Sequence, residues 1–264
     1  MRIVRALTIF IAGILVGAVA VGGAFAAKYV TNDGTQVSGI KITSAGLPDI
    51  GTTSTYGIAE MPGALRNYHD SGEYEGDLAT VGNNAERSLG KQVKRLEKAP
   101  GPGKFNECNS KGKKCKEVKP AIVFDIDETS LSNYAGLNAA DFSAGGSVAG
   151  IVGGGLPAIG PTLELYDDAV SKGVTPFFIT GRPDALQSVA ETNLQQAGYD
   201  SPQTVITKPS GAGTTIEYKS GERARIENEL GYKILINIGD QDSDLAGGHA
   251  VRPFKLPNPF YYIP

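Results

Sequence analysis

The 264-residue sequence contains no tryptophan, only two cysteines and no large excess of either charge. The missing tryptophan limits fluorescence assays and excludes no function. The formal net charge of −3 gives no global reason to expect nucleic acid or an anionic membrane surface as a partner. The basic run KGKKCK at residues 111–116 is typical of a solvated loop. The hydrophobic fraction of 41% is sufficient for one full-sized domain with its own core.

The two cysteines are too few for a structural zinc site, which takes four ligands. Cys108 and Cys115 bracket a short, polar, lysine-rich loop. In an oxidising compartment they could close a local disulfide that stabilises the fold by about 2 kcal/mol. We interpret the pair as a staple of this loop that takes no part in the chemistry.

The N-terminus has the pattern of an export signal. Arg2 and Arg5 flank the start of an apolar run at residues 6–21, and Ala-Phe-Ala at 24–26 fits a small-x-small cleavage site. We predict a signal peptide over residues 1–26, without a twin-arginine pair, so that general secretion is the simpler route. The alternative is an uncleaved membrane anchor, because residues 6–27 are long enough to span a bilayer. Glycine and alanine lower the hydrophobicity of the run towards its end, which favours cleavage. Both alternatives place the rest of the chain outside the cytoplasm.

Two segments precede the main part of the chain. Residues 27–67 begin with a stretch rich in Thr, Ser, Gly and Asp without sustained periodicity, and we predict an extended or disordered arm. A helix is predicted from Ser71, as its cap, to the breaker APGPG at 99–103. Its apolar positions recur every three to four residues: Tyr74, Leu78, Val81, Ala85, Leu89, Val93 and Leu96. We expect residues 68–264 to form one domain.

Strands and helices alternate after the cysteine loop. Four short apolar runs of the kind buried in a parallel sheet lie at residues 121–126, 175–180, 204–207 and 233–239. Helical stretches are predicted between them at 162–172, 184–197 and 221–230. This alternation predicts an α/β fold with a mostly parallel sheet and right-handed crossovers.

Acidic residues cluster where the first and last of these strands end. Asp125, Asp127 and Glu128 are nearly adjacent, although two like charges ~4 Å apart cost about 4 kcal/mol at an effective dielectric of ~20. Asp240 and Asp244, in GDQDSD, reach the same sheet edge. Carboxylate oxygens are the ligands that Mg²⁺ prefers, and the cation would remove the repulsion. The alternative, that Asp127 and Glu128 cap the next helix, does not explain acids converging from both ends of the domain.

Candidate phosphate-binding groups reach the same edge. Thr180 ends the second strand and is followed by Gly181, whose amide can approach an oxyanion. Lys219 supplies a compact positive charge before a helix. Taken singly, Thr180 is more typical of a turn and Lys219 of a protein surface. A carboxylate nucleophile, a metal, a hydroxyl and a lysine together are suited to phosphoryl transfer.

These motifs also carry a family resemblance. DIDET, FFITGR, Lys219 and GDQDSD, in this order, resemble the four-motif signature of the haloacid dehalogenase (HAD) superfamily of phosphatases. The stretch YKSGERARIENELGYKILINIGDQDSDLAG and the ending FKLPNPFYYIP resemble the exported acid phosphatases related to class B enzymes and plant vegetative storage proteins. The likeness runs from about Tyr68 to the C-terminus. It implies a Rossmann-like three-layer α/β sandwich with an N-terminal helical extension and a small glycine-rich cap.

The resemblance also implies the reacting groups. Asp125 would attack phosphorus and form an aspartyl-phosphate, and Asp127 would protonate the leaving alcohol and then activate water. The carboxylate of Asp125, the backbone carbonyl of Asp127 and Asp240 would hold Mg²⁺. Asp244 would be a further ligand or support the others.

The remaining implied roles concern the phosphoryl group. Thr180, Gly181 and Lys219 would bind its oxygens, and Thr129 would support the turn after the nucleophile.

One region departs from the family pattern: residues 141–160, DFSAGGSVAGIVGGGLPAIG, are rich in glycine where bulky side chains are expected. This composition predicts a mobile, open flap, or equally a flexible loop without a role in recognition.

Taken together, the sequence predicts an exported, Mg²⁺-dependent acid phosphatase acting on small phosphomonoesters. Neither nucleic acid nor, if the signal is cleaved, a membrane is an expected partner. Three alternatives stay open: a weakly active or non-enzymatic storage or binding relative, a phosphotransferase to an alcohol acceptor, and a response-regulator receiver domain. The export signal and the chain length disfavour the receiver, because receivers are compact and cytoplasmic.

Overall fold

The structure is a computed structural model that describes residues 40–42, 48–50, 61–98, 105–109, 114–143, 145–200 and 204–263. The predicted signal peptide, residues 1–26, lies outside these residues, as does most of the predicted arm. Within the described residues, no helix combines the length and the apolar character needed to cross a membrane.

The described residues form nine strands and eight α-helices. The strands are β1 (Ile40–Ile42), β2 (Pro48–Ile50), β3 (Glu97–Lys98), β4 (Phe105–Cys108), β5 (Cys115–Phe124), β6 (Thr175–Pro183), β7 (Val205–Lys208), β8 (Tyr232–Gly239) and β9 (Arg252–Lys255). The helices are α1 (Met61–Asp70), α2 (Glu73–Val93), α3 (Tyr134–Ala139), α4 (Gly145–Gly153), α5 (Gly160–Ser171), α6 (Gln187–Gln196), α7 (Thr215–Asn228) and α8 (Asp242–Leu245). A 3₁₀ turn at Asp184–Leu186 precedes α6.

The centre of the fold is a sheet of five parallel strands in the order β9-β8-β5-β6-β7. The four apolar runs of the sequence all form strands of this sheet, which confirms the predicted α/β fold. The strand β5 lies in the middle because its second half is buried on both faces. Ile122 and Phe124 enter one core, whereas Ala121 and Val123 enter the other. Helices therefore cover both faces, giving the three-layer arrangement.

The two cysteines lie opposite each other in an antiparallel pair formed by β4 and the first half of β5. They form a disulfide, with a Cα–Cα distance of 4.0 Å. The disulfide proposed from the sequence is therefore present, and it joins the last residue of β4 to the first residue of β5. The part of the sheet formed by β3, β4 and the start of β5 is antiparallel, which the sequence reasoning did not anticipate.

The N-terminal helices belong to the core of the domain. The predicted arm ended at residue 67, but α1 crosses that boundary, and its Ala64 and Leu65 are buried. The packed core therefore includes residues of α1 that precede the predicted boundary. The second helix, α2, starts at Glu73, and its cap is Gly72, with φ of 84°, and not Ser71. It ends at Val93, so Leu96 lies beyond the helix although it is buried.

The glycine-rich segment is more ordered than predicted. Residues 145–153 form helix α4 where a flap or flexible loop was expected. Two bonds to α6 hold this region: Asn193 donates to the carbonyl of Ile151 (3.2 Å), and the amide of Gly155 donates to Gln196 (3.2 Å). The expectation of a flexible loop was therefore wrong for residues 145–153, because tertiary contacts outweigh the low helix propensity of glycine; mobility of the segment stays a prediction.

Candidate active site

The polar residues predicted at the sheet edge do lie there. Asp125 directly follows β5 and Asp240 directly follows β8, and the two strands pair in parallel up to Phe124 and Ile238. Thr180 lies on the neighbouring strand β6, which continues to Pro183 instead of ending at Thr180. The carboxyl ends of three adjacent strands thus supply the groups that the sequence singled out.

Three of the predicted acids form a buried cluster. Carboxylate oxygens of Asp125, Asp240 and Asp244 lie within 4.8 Å of one another. All three residues are less than a tenth exposed. Buried oxygens at this spacing suit a hard divalent cation such as Mg²⁺. The helix α8 begins at Asp242, shortly after β8 ends at Gly239, and brings Asp244 back beside Asp240.

Lys219 is the cation that this cluster contains. Its ammonium nitrogen lies 2.5 Å from an oxygen of Asp125 and 2.5 Å from an oxygen of Asp244. The sequence placed it before a helix, but α7 begins at Thr215, because Thr214 and Glu217 form a capping box. Lys219 therefore projects from a helix and is held in the interior. The ammonium contacts two of the three carboxylates, so a divalent cation could supply the further positive charge that the cluster needs.

Burial and mutual repulsion shape the protonation of these groups. Burial raises the pKa of Asp125 well above its usual value, against the opposing effect of Lys219. Burial and the charge of Asp244 raise the pKa of Asp240 to about 7. Burial alone would lower the pKa of Lys219, but Asp125 and Asp244 together raise it, so the ammonium stays charged. A bound divalent cation would favour the ionised form of each carboxylate.

The side chain of Asp127 lies outside the acid cluster. Arg182 binds it with two bonds, Nε to Oδ2 at 2.9 Å and Nη2 to Oδ1 at 2.7 Å, and Asn133 adds a third at 2.8 Å. Its side chain is 21% exposed, more than any carboxylate of the cluster. This position leaves only the backbone carbonyl of Asp127 as a candidate ligand and its carboxylate as a candidate proton carrier.

Thr129 and the other predicted phosphate-binding residues occupy different surroundings. The hydroxyl of Thr129 donates to Asp240 (3.2 Å), so the residue contacts a candidate metal ligand. Thr180 is buried, and its oxygen accepts a bond from the amide of Arg182 (3.1 Å), which leaves its hydroxyl hydrogen available. Gly181 is exposed, and a Cβ at this position would contact nothing within 4 Å. Its backbone is therefore open to an approaching oxyanion.

Glu128 binds the residue that precedes the next helix and does not cap the first turn of that helix. Its carboxylate accepts a bond from the amide of Asn133 (2.6 Å), the residue that precedes α3, and one from the hydroxyl of Tyr261 (2.5 Å). Its φ of 54° is unusual for a residue with a side chain. Burial and the charge of Asp127 raise its pKa to about 7. Glu128 thus stabilises the turn that follows Asp125, and Asp127 does not cap the helix.

Several residues of the site carried no assignment from the sequence. Arg223 is buried and donates to the backbone carbonyls of Asp244 (2.6 Å) and Gly248 (2.9 Å), which holds the loop after β8. Asn258 donates to Asp240 (2.7 Å) from the C-terminal segment. Two features of the sequence could have drawn attention to such residues. Arg182 directly follows Thr180-Gly181, and the unusual ending FKLPNPFYYIP contains Asn258.

The family follows from comparison with known proteins. The family model described as "HAD superfamily, subfamily IIIB (Acid phosphatase)" matches residues 59–264. The chain belongs to this family, as its motifs predicted. Membership replaces the receiver-domain alternative.

The curated relatives are plant proteins. The chain is 39% identical to "Stem 28 kDa glycoprotein" of Glycine max over 155 residues, covering 55% of this chain and 61% of that protein. It is 39% identical to "Acid phosphatase 1" of Solanum lycopersicum over 151 residues (53% and 58%). It is 36% identical to "Vegetative storage protein 1" of Arabidopsis thaliana over 149 residues (54% and 55%). The match thus spans less than two thirds of the length of each of these relatives.

A solved structure shares the fold. The chain is similar to the class C acid phosphatase from Bacillus anthracis, with a TM-score of 0.56 and 19% identity, covering 76% of this chain and 86% of that one. A structure of that phosphatase with tungstate bound gives the same values. At this identity the likeness supports the HAD-like α/β architecture.

Proposed function

We propose that the chain is an exported, Mg²⁺-dependent acid phosphatase that hydrolyses small phosphomonoesters through an aspartyl-phosphate at Asp125. Membership of the acid phosphatase family supports the reaction class. The observation that carries the proposal is the position of Asp125: its carboxylate contacts Lys219 and shares a buried cluster with Asp240 and Asp244. A nucleophile, a fixed ammonium and a candidate cation site thus meet at one sheet edge.

The reaction has two steps at this site. A carboxylate oxygen of Asp125 attacks phosphorus, and the bond from phosphorus to the leaving oxygen breaks while Asp127 gives that oxygen a proton. Water then attacks the aspartyl-phosphate and passes a proton to Asp127, which releases orthophosphate and restores Asp125. Arg182 and Asn133 hold Asp127 beside the nucleophile in both steps.

Three groups are placed to bind the phosphoryl oxygens. Lys219 supplies fixed positive charge, the hydroxyl of Thr180 has a free hydrogen, and the backbone of Gly181 is open. Preorganised donors of this kind stabilise the charge that develops in phosphoryl transfer.

The donor set fits Mg²⁺. The carboxylates of Asp125, Asp240 and Asp244 and the backbone carbonyl of Asp127 would hold the ion, since all are hard oxygen donors. When bound, the ion would neutralise charge on the phosphoryl oxygens and polarise the phosphorus centre.

Export is supported by the Cys108–Cys115 disulfide, since such bonds persist in oxidising compartments.

The proposal is tested with Asp125→Asn, assayed for phosphate release from 4-nitrophenyl phosphate, nucleotides and glycerol phosphate, on protein lacking residues 1–26. We expect turnover to be abolished while circular dichroism shows a folded chain. Asp167→Asn is the matched control, because Asp167 is exposed on α5 and the chemical change is identical. Turnover that persists in Asp125→Asn would refute the assignment.

A second candidate is a storage or binding protein with little activity, favoured by the similarity to a protein named for storage. The retained Asp125 argues for an enzyme. Phosphate release with and without a chelator separates the two, because a storage protein releases none in either condition. Product analysis in added glycerol detects transfer to an alcohol, which would use the same residues.

A further inference from the structure

The last residues of the chain pass directly beside the acid cluster. We call residues 256–263, which follow β9, the C-terminal tail. Its first five residues are buried, and the amide of Leu256 donates to the carbonyl of Gly239 (2.9 Å) at the end of β8. The tail thus starts beside Asp240, and Asn258, further along the tail, bonds to the carboxylate of that residue.

The two oxygens of Asp240 have different partners. Oδ2 accepts two amide donors, Gln241 Nε2 at 2.5 Å and Asn258 Nδ2 at 2.7 Å. Among the described residues, Oδ1 accepts one side-chain donor, the hydroxyl of Thr129, at 3.2 Å. Because two short bonds occupy Oδ2, Oδ1 is the oxygen that can face a cation.

The tail orients both of these amide donors. The carbonyl oxygen of the Asn258 side chain accepts the amide of Phe260 (2.9 Å), and that of Gln241 accepts the amide of Ile263 (3.0 Å). A side-chain amide whose oxygen is held by a backbone N–H must present its NH₂ group elsewhere. In both residues this group is presented to Asp240.

Aromatic packing anchors the tail between the helices. The ring of Phe260 packs at 5.2 Å from that of Tyr74 on α2, at 5.4 Å from Tyr134 on α3, and at 5.6 Å from Phe142. The hydroxyl of Tyr261 donates to Glu128 (2.5 Å) in the turn after the nucleophile. The tail therefore bridges the N-terminal helices and both acidic motifs.

We propose that the C-terminal tail is part of the metal site: through Asn258 and Gln241 it holds Asp240 with Oδ1 toward the cation. Asn258 and Gln241 are positioning residues, and the inference rests on the proposed function only in taking Asp240 as a metal ligand. Residues that orient metal ligands usually change metal affinity 10- to 100-fold when removed. Because coupling between binding and conformation is reciprocal, Mg²⁺ should in turn stabilise the docked tail.

The test is calorimetric titration of Mg²⁺ into the full chain without substrate. We expect Asn258→Ala to raise the Kd for Mg²⁺ by about tenfold or more. Two controls should stay within about twofold of the wild-type Kd. Tyr262→Ala alters a tail side chain that is 61% exposed, and Asn193→Ala removes a buried amide that bonds to the carbonyl of Ile151 and to no carboxylate of the acid cluster. An unchanged Kd in folded Asn258→Ala overturns the inference, as does a wild-type chain that binds no Mg²⁺.

A second measurement uses only the wild-type chain, so it tests the inference even if Asn258→Ala does not fold. Hydrogen exchange on the wild-type chain should slow by about tenfold or more at the amides of Phe260 and Ile263 when Mg²⁺ is saturating. Exchange that does not respond to Mg²⁺ overturns the inference. Failure to hydrolyse any phosphate ester would refute the proposed function alone, because both measurements are made without substrate.

Discussion

The ammonium nitrogen of Lys219 lies 2.5 Å from a carboxylate oxygen of Asp125, although 94 positions separate the two residues in the sequence. The same nitrogen lies 2.5 Å from Asp244. All three side chains are buried, so this is an interior ion network with two carboxylates on one ammonium. Its arrangement links the end of β5, the helix α7 and the helix α8 into one unit.

Replacing Lys219 with methionine should weaken both stability and turnover. Removing one partner of a buried ion pair leaves unpaired charge and costs about 3–5 kcal/mol. We expect a loss of this size by denaturant unfolding in chelator, partly restored by Mg²⁺. We also expect a loss of at least about 100-fold in kcat, since in the proposed mechanism the ammonium would bind the phosphoryl group. Lys233→Met, which removes an exposed pair with Glu107, is the control and should change little. Wild-type kcat in Lys219→Met would contradict the assigned role.

Arg182→Lys should impair the reaction more than substrate binding. Lysine keeps the charge but cannot make the two parallel bonds that fix Asp127. Misplacing a proton carrier by about 1 Å can reduce rates by about 100-fold, so we expect kcat to fall about 10- to 100-fold with KM nearly unchanged. The measurement is steady-state kinetics on an aryl phosphate. Arg225→Lys, in a surface pair with Glu222, should leave both constants unchanged; an equal fall there would mean that the effect is not specific.

The sheet could be predicted from the sequence because each of its main strands is an uninterrupted apolar run. Residues 121–124 are buried on both faces, and such strands show no alternation. The site could be predicted for a related reason: Asp125 and Asp240 each follow such a run, and the ends of parallel strands share one edge. Local pattern and topology were sufficient for both.

Residues that act over long sequence separations could not be predicted in this way. Asn258 bonds to Asp240 across 18 positions, and Tyr261 bonds to Glu128 across 133. No periodic pattern in the sequence predicts either contact. Arg182 follows a recognised motif, but its partner Asp127 is 55 positions away. Such contacts depend on how the tail and strands pack, which a local pattern does not encode.

The glycine-rich segment shows the opposite failure, in which a local signal was misleading. Its glycine content and its lack of bulky side chains suggested a flap or flexible loop at 141–160, and glycine also disfavours helices by about 1 kcal/mol per residue. Helix α4 forms nevertheless, and Gly150 lies close to the site: a Cβ there would be 3.1 Å from Leu156 and 3.5 Å from Asn133. A small residue is needed at that position for the helix to approach, so part of the glycine content serves packing.

The metal-free protein should lose stability as the pH rises from about 4 to 7. The pKa of Asp240, ordinarily 3.8, is raised to about 7 in the folded state. In that window the folded chain therefore binds more protons than the unfolded chain, and stability falls by up to about 1.4 kcal/mol per pH unit for such a group. We expect a lower Tm at pH 7.5 than at pH 5 in chelator. Mg²⁺ should reduce the difference by favouring the ionised carboxylate, and Asp240→Asn should reduce it without Mg²⁺. A Tm that rises over this interval in chelator would contradict the assignment.

Gly82 on α2 should tolerate alanine poorly, although alanine is the better helix former. A Cβ at this position would lie 2.7 Å from the Cβ of Pro161, which is closer than real contacts allow, and 3.2 Å from its carbonyl oxygen, which is tight. The helices α2 and α5 must then separate, and overpacking of this kind costs about 1–3 kcal/mol.

The matched control is Gly76→Ala on the same helix, where a Cβ would meet nothing within 4 Å. There the intrinsic preference acts alone, and we expect a gain of about 1 kcal/mol in the free energy of unfolding. The two variants should therefore move in opposite directions in denaturant unfolding. If Gly82→Ala stabilised the chain as much as Gly76→Ala, then α2 would not be packed on α5. The N-terminal helices would in that case be an appended extension and not part of the core that supports the site.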